Sequence, residues 1–173
     1  MKFNYYAFRA MYLHEMDRFK RTLMQSLFSP VLSTSLYFIV FGSVIGGYVE
    51  KIDGISYGSF IVPGLLMLTL LTQSISNTSF GIFFPKFNGT IYEILAAPIS
   101  TFEIVLAFVG AGATKTLIVG VVIFITSTFF VDVYVEKPFL MVLLLILVAF
   151  TFALFGFLIG LMSSNFEQLS VIP

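Results

Sequence analysis

Four blocks of this chain are long and oily enough to cross a bilayer, and they leave it few other ways to fold. Residues 27–49, 57–84 and 139–162 contain no Asp, Glu, Lys or Arg, and residues 104–131 contain one, Lys115. A helix needs about 20 apolar residues to cross the hydrocarbon layer, and each block exceeds that. None shows the short alternating segments of a membrane barrel. The expected fold class is therefore an all-α polytopic membrane protein: an amphipathic N-terminal interface helix plus four transmembrane helices. Composition agrees, since the chain is 58% hydrophobic and 10% charged, where a water-soluble domain carries roughly a quarter charged residues. The absence of Cys and the single His exclude thiolate metal sites and histidine clusters, so no metal is expected. The N-terminus mixes acidic and basic residues and does not read as a cleavable signal peptide.

Orientation follows from the Lys and Arg flanking the blocks. Lys2, Arg9, Arg18, Lys20, Arg21 and Lys86 fall on the N-terminal side, and Lys51 and Lys137 fall on the other. Six against two places the N-terminus and residues 85–103 in the cytoplasm. At the far end, Leu169–Pro173 reads as the opening of a further span, so the sequence is expected to be a truncated form.

Three stretches are candidates for function. In the N-terminal segment, Tyr5, Phe8, Tyr12, Met16, Phe19 and Leu23 recur every three or four positions, one stripe of an amphipathic helix. Arg9, Asp17, Arg18, Lys20 and Arg21 fall largely off it, which suits a helix lying flat on the membrane before the first span. His14 has no companion ligand there. In the second block, Pro63 removes a helix hydrogen bond and Gly64 adds freedom, which predicts a kink near the outer end. Deeper in, Thr69, Gln73, Ser76 and Asn77 share a face, with Thr72 and Ser79 beside it. These polar groups must face another helix or a watery path, as packing partners or as its lining. Lys115 follows the small-residue run Gly110–Ala113. It either pairs or snorkels, or it serves as an ion or proton site.

The third stretch, residues 84–100, FPKFNGTIYEILAAPIS, interrupts the oily pattern. Asn88-Gly89 supplies a turn. Thr90 and Glu93 have capping-box spacing, and Pro98 limits the helix to about seven residues. Ile91, Ile94, Leu95 and Pro98 are expected on one face, with Glu93 and Ala97 away from it. The result is a short surface helix on the cytoplasmic side, joined directly to two spans.

Glu15 and Arg18, Pro30, Phe41-Gly42, the segment Phe60-Ile-Val-Pro63-Gly64-Leu65 and the segment Gly89-Thr90-Ile-Tyr-Glu93-Ile-Leu95-Ala-Ala-Pro98-Ile-Ser100, in this order, resemble the membrane subunits of ABC-2-type transporters across essentially the whole chain. The resemblance implies a six-span permease that dimerises and exports its substrate. A separate cytoplasmic ATPase would bind the ATP and Mg, with no cofactor in this chain. It implies that residues 89–98, with Gly89, Thr90, Tyr92, Glu93, Leu95 and Pro98, form the ATPase-coupling helix. Residues 3–21, with Glu15, Arg18 and Arg21, match the connecting helix. Thr69, Gln73, Ser76, Asn77 and Lys115 would line the translocation path or pack helices. Independently of the resemblance, the sequence holds no G-x-x-x-x-G-K-[ST] nucleotide loop, so an ATP-driven motor must be another chain. The competing reading is a secondary carrier or channel using Lys115. An intramembrane enzyme is disfavoured, because the spans hold no carboxylate pair, His or Cys. Nothing in the sequence points to nucleic acid.

Overall fold

A computed structural model describes residues 3–45, 51–52 and 55–171, and side-chain surroundings for 3–41 and 56–169. The elements are α1 (Tyr5–Arg21), α2 (Leu23–Tyr37) continued by a π-helical stretch (Phe38–Ile45), strands β1 (Lys51–Ile52) and β2 (Ile55–Ser56), α3 (Tyr57–Phe87), α4 (Ile91–Ala96), α5 (Thr101–Thr128), α6 (Pro138–Met162) and α7 (Phe166–Val171). Four helices are long and apolar enough to span a membrane: Leu23–Phe41, Tyr57–Phe87, Thr101–Thr128 and Pro138–Met162. The last residues of the expected first span, 46–49, and the end of the apolar tail, 172–173, lie outside the described residues. The two short strands form an antiparallel pair, Lys51 opposite Ser56 and Ile52 opposite Ile55, in the connection between the first two spans.

The 31 residues of α3 measure about 46 Å at helical rise, longer than a hydrocarbon core of about 30 Å. The helix runs on through Pro63 and Pro85 to Phe87, absorbing the first residues of the expected loop. At its N-terminal end Ser56 caps the helix by accepting from the Ser59 amide at 3.2 Å. α3 is the central element. One side meets α6, where a Cβ on Gly156 would stand 2.5 Å from the Ile75 carbonyl oxygen and one on Gly160 2.5 Å from that of Ser79. Together with buried Ala149 and Ala153, these small residues let the two backbones touch, the usual basis of helix association in lipid. The other side meets α5, which runs antiparallel: Leu66 and Leu70 pack against Val119 and Ile123. Further along, a Cβ at Gly112 would collide with Thr78 Oγ1.

α1 begins where Asn4 Oδ1 accepts from the Ala7 amide at 3.2 Å. It ends at Thr22, with Arg18, Lys20 and Arg21 in the last turn favourably placed against the helix dipole. α2 follows after that single residue. Aromatic stacking of Phe38 on Phe130 and the packing of Leu27 near Val119 and Ile123 keep α2 beside α5. At the other end of the bundle, α7 docks through Phe166, edge-on to Phe83 and Phe87 at 4.9 Å each. Lys86 at the end of α3 donates to the carbonyls of Leu161 (2.7 Å) and Ser163 (2.8 Å), satisfying the free C-terminal end of α6.

Candidate functional site: a buried ionic cluster beneath an exposed helix

The inward face of α1 is built from Phe8, Met11, Tyr12, Glu15 and Phe19; Tyr5 and Leu23, at the ends of the expected stripe, are exposed. Three polar ties hold this face to α5. The Asn4 amide donates to Glu103 Oε1. Tyr12 donates its hydroxyl to Thr114 Oγ1 at 3.0 Å. Lys115 Nζ donates to Glu15 Oε2 at 2.7 Å. The partners advance together, 4, 12 and 15 on one helix and 103, 114 and 115 on the other. The two helices therefore run side by side in the same direction over about 18 Å of α5. α1 thus packs along the first half of α5, where its inward polar groups find their partners.

The last of these ties is the centre of the site. Glu15 Oε2 accepts from Lys115 Nζ and also from Arg18 Nη2 at 2.8 Å. Glu15 and Lys115 are each only 3% exposed. Lys115 is thus a paired group and not a snorkelling or free one, and its ammonium is already committed to a carboxylate. Gly81 on α3 makes room for the cluster: a Cβ there would stand 3.3 Å from Glu15 Oε2 and 3.6 Å from Arg18 Nη2. α1, α3 and α5 therefore meet at one charged node. Arg21, expected in the same role, faces away and donates to its own helix at the Asp17 carbonyl. On that exposed side Lys20 donates to Asp17 at 2.9 Å, which holds the Asp17 carboxyl below its ordinary range.

The polar face of α3 is only partly assembled as expected. The Thr69 hydroxyl is spent on the Leu65 carbonyl of its own helix. Asn77 Nδ2 reaches Gln73 Oε1 and Thr116 Oγ1, both at 3.5 Å. Ser76 and Asn77 line a cavity of about 300 Å³ together with Arg18 and Lys115. Toward the other end of α1, a second cavity of about 410 Å³ lies between α1, the end of α3 and α4, with His14, Glu15, Asn88 and Thr90 in its wall. His14 is exposed, and no group of three His, Cys, Asp or Glu able to hold a metal occurs among the described residues.

Above this second cavity sits α4. Gly89, at φ +80°, makes the turn that admits it, a left-handed conformation that other residues adopt only at a cost. The expected Thr90–Glu93 capping box does not form. Thr90 is itself in the right-handed helical region, and its side chain makes no capping bond. The Glu93 amide bonds the Thr90 carbonyl instead, at 3.1 Å. The helix is six residues, one shorter than expected. Its expected apolar face is also corrected. Ile91 and Ile94 pack against the core with Met11 and Ile99, whereas Leu95 and Pro98 are exposed and Ala97 is half-buried. Tyr92 is 74% and Leu95 62% exposed, with Glu93 exposed between them.

A capping box does form at Ser100–Glu103, the start of α5. Ser100 Oγ accepts from the Glu103 amide at 3.3 Å, and Glu103 Oε2 accepts from the Ser100 amide at 2.8 Å. Because Oε1 of the same carboxylate takes the Asn4 amide, Glu103 both starts α5 and anchors α1. The spacing Ser-x-x-Glu was visible in the sequence; the tie to Asn4, across 99 positions, was not.

The profile of the family described as "ABC-2 type transporter" matches residues 6–173. Curated relatives named "Inner membrane transport permease YadH", from Escherichia coli K12, Escherichia coli O157:H7 and Shigella flexneri, are each 37% identical over 167 residues, which is 96% of this chain and 65% of theirs. The chain thus spans about two thirds of the length of these relatives. No solved structure matches it.

Proposed function

This chain belongs to the ABC-2 type transporter family, a family of membrane transport permeases and not enzymes, and from that premise we propose that it is the permease of an ATP-driven exporter whose motor is a separate cytoplasmic ATPase. The observation that carries the reading is α4. It presents Tyr92, Glu93 and Leu95 to solvent while Ile91 and Ile94 root it in the core. Exposed aromatic and apolar side chains on a short, firmly seated helix are what a docking partner uses. A force on α4 reaches α3 through the Gly89 turn and α5 through the short link to Ser100.

In this reading residues 85–103 face the cytoplasm with the N-terminus, in a bacterial inner membrane like that named for the relatives. The ATPase binds ATP and Mg, for which this sequence has no phosphate loop. Two copies of the permease enclose the path, with Ser76 and Asn77 facing it.

The reading is tested by purifying the chain with the ATPase that accompanies it. Glu93→Lys, or Pro in place of Tyr92, is expected to abolish that association while membrane insertion is retained. An ATPase that co-purifies equally well with both variants refutes the assignment of α4.

A further inference from the structure

The ionic cluster is unbalanced: one carboxylate, Glu15, serves two cations, Arg18 and Lys115. Asp17, the nearest acid in sequence, points to the exposed side and pairs with Lys20. The surplus positive charge borders the cavity of about 300 Å³ between α1, α2, α3 and α5. Arg18, which lines this cavity and also the one of about 410 Å³, keeps 31% of its side chain exposed, with one of its five N–H donors given to Glu15. Ser76 and Asn77 add neutral polar groups to the wall, and Phe80 and Phe84 form its outer rim, with their rings partly exposed along α3. Gly81, against which the cluster rests, lies six residues before the end of α3, about 9 Å along the axis.

A cavity with a surplus guanidinium, neutral donors and an aromatic rim fits an anion that carries apolar chains. We propose that it binds the phosphate of an anionic phospholipid from the leaflet on the α1 side. The Arg18 guanidinium donates to the phosphate oxygens, and the acyl chains lie against Phe80 and Phe84. An Arg–phosphate contact is a charge-assisted, often two-pronged bond, and basic pockets between spans favour anionic headgroups. The bound phosphate would complete the charge balance that Glu15 alone leaves open and so hold α1 and α2 to α3. This assignment is independent of what docks on α4.

The test is native mass spectrometry of the purified, delipidated chain, titrated with phosphatidylglycerol, phosphatidylcholine or inorganic phosphate. Phosphatidylglycerol should be retained about tenfold better than phosphatidylcholine, the worth of one charge-assisted hydrogen bond. Arg18→Gln should erase the preference and Arg18→Lys keep most of it, while Arg9→Gln, at an exposed position away from the cavity, should leave it unchanged. Ser76→Phe fills the cavity without altering charge and should also erase it, which decides the matter even if Arg18→Gln fails to fold. Competition by excess inorganic phosphate supports the phosphate chemistry; phosphate binding with no preference between the lipids overturns the lipid assignment. Equal retention of the two lipids by the wild type, or a preference that survives Ser76→Phe, overturns the proposal.

Discussion

Glu15 is the residue whose loss should cost this fold most, and the reason can be worked through from the cluster. Its Oε2 accepts from Lys115 Nζ at 2.7 Å and Arg18 Nη2 at 2.8 Å. In Glu15→Gln the amide oxygen keeps a hydrogen bond, but Lys115, 3% exposed, is left without its counter-charge beside the partly exposed Arg18. Breaking a buried pair this way costs about 3–5 kcal/mol, because an uncompensated charge stays behind. Lys115→Met is milder: Glu15 retains Arg18, and the loss is close to one charge-assisted hydrogen bond, about 1.5–3 kcal/mol. The double variant Glu15→Gln/Lys115→Met removes the stranded cation and should therefore be more stable than Glu15→Gln alone. Reversible denaturant unfolding in mixed micelles, followed by far-ultraviolet circular dichroism, gives the three free energies and closes a double-mutant cycle. Added salt should change them little, since the pair is shielded from solvent ions. Costs that simply add would show that the two residues do not interact. A Glu15→Gln variant no less stable than Lys115→Met would refute the argument for the shared oxygen.

Three further outcomes are expected. Gly156→Ala places a Cβ 2.5 Å from the Ile75 carbonyl and cannot be relieved by a flexible side chain, so it should destabilise by about 1–3 kcal/mol and loosen α6, read as faster proteolysis between α5 and α6. Gly89→Val should cost about 1–2 kcal/mol through its φ of +80°, with Gly89→Asn milder; limited proteolysis within residues 85–103 reports the loosening of α4. Ser74 and Thr78 bury hydroxyl oxygens with no hydrogen-bond partner among the described residues. Thr78→Val should therefore be neutral or stabilising by up to about 1 kcal/mol in the same unfolding assay, where a paired hydroxyl would give a loss.

The spans were legible because their signal is local and one-dimensional: an uninterrupted apolar run has nowhere else to go. The same holds for α1, whose period-3.6 stripe needs no partner to be seen, and for α4, bracketed by Asn88-Gly89 and Pro98. The capping boxes show where local reading thins out. Thr90–Glu93 and Ser100–Glu103 carry the same spacing, yet only the second forms. The positive φ of Gly89 delivers Thr90 already in helical conformation, where its hydroxyl cannot face the Glu93 amide. Similarly, the inward face of α4 turned on which side Met11 and Ile99 approach, and six residues are too few for a period to settle that.

What the sequence determined by itself was the class of molecule, an oily bundle of long helices with one polar interruption. Only the tertiary structure decided what Lys115 is. A lone lysine in a span can snorkel, carry ions or pair, and the three look alike in one dimension. The partner, Glu15, lies 100 positions away on a helix that sequence alone placed on the membrane surface. It reaches Lys115 because α1 runs along α5 and Gly81 leaves the space for both side chains, and no local pattern records that arrangement. Burial of an unpaired charge is costly enough that the fold must bring the two together, but which carboxylate answers is a property of how the helices pack.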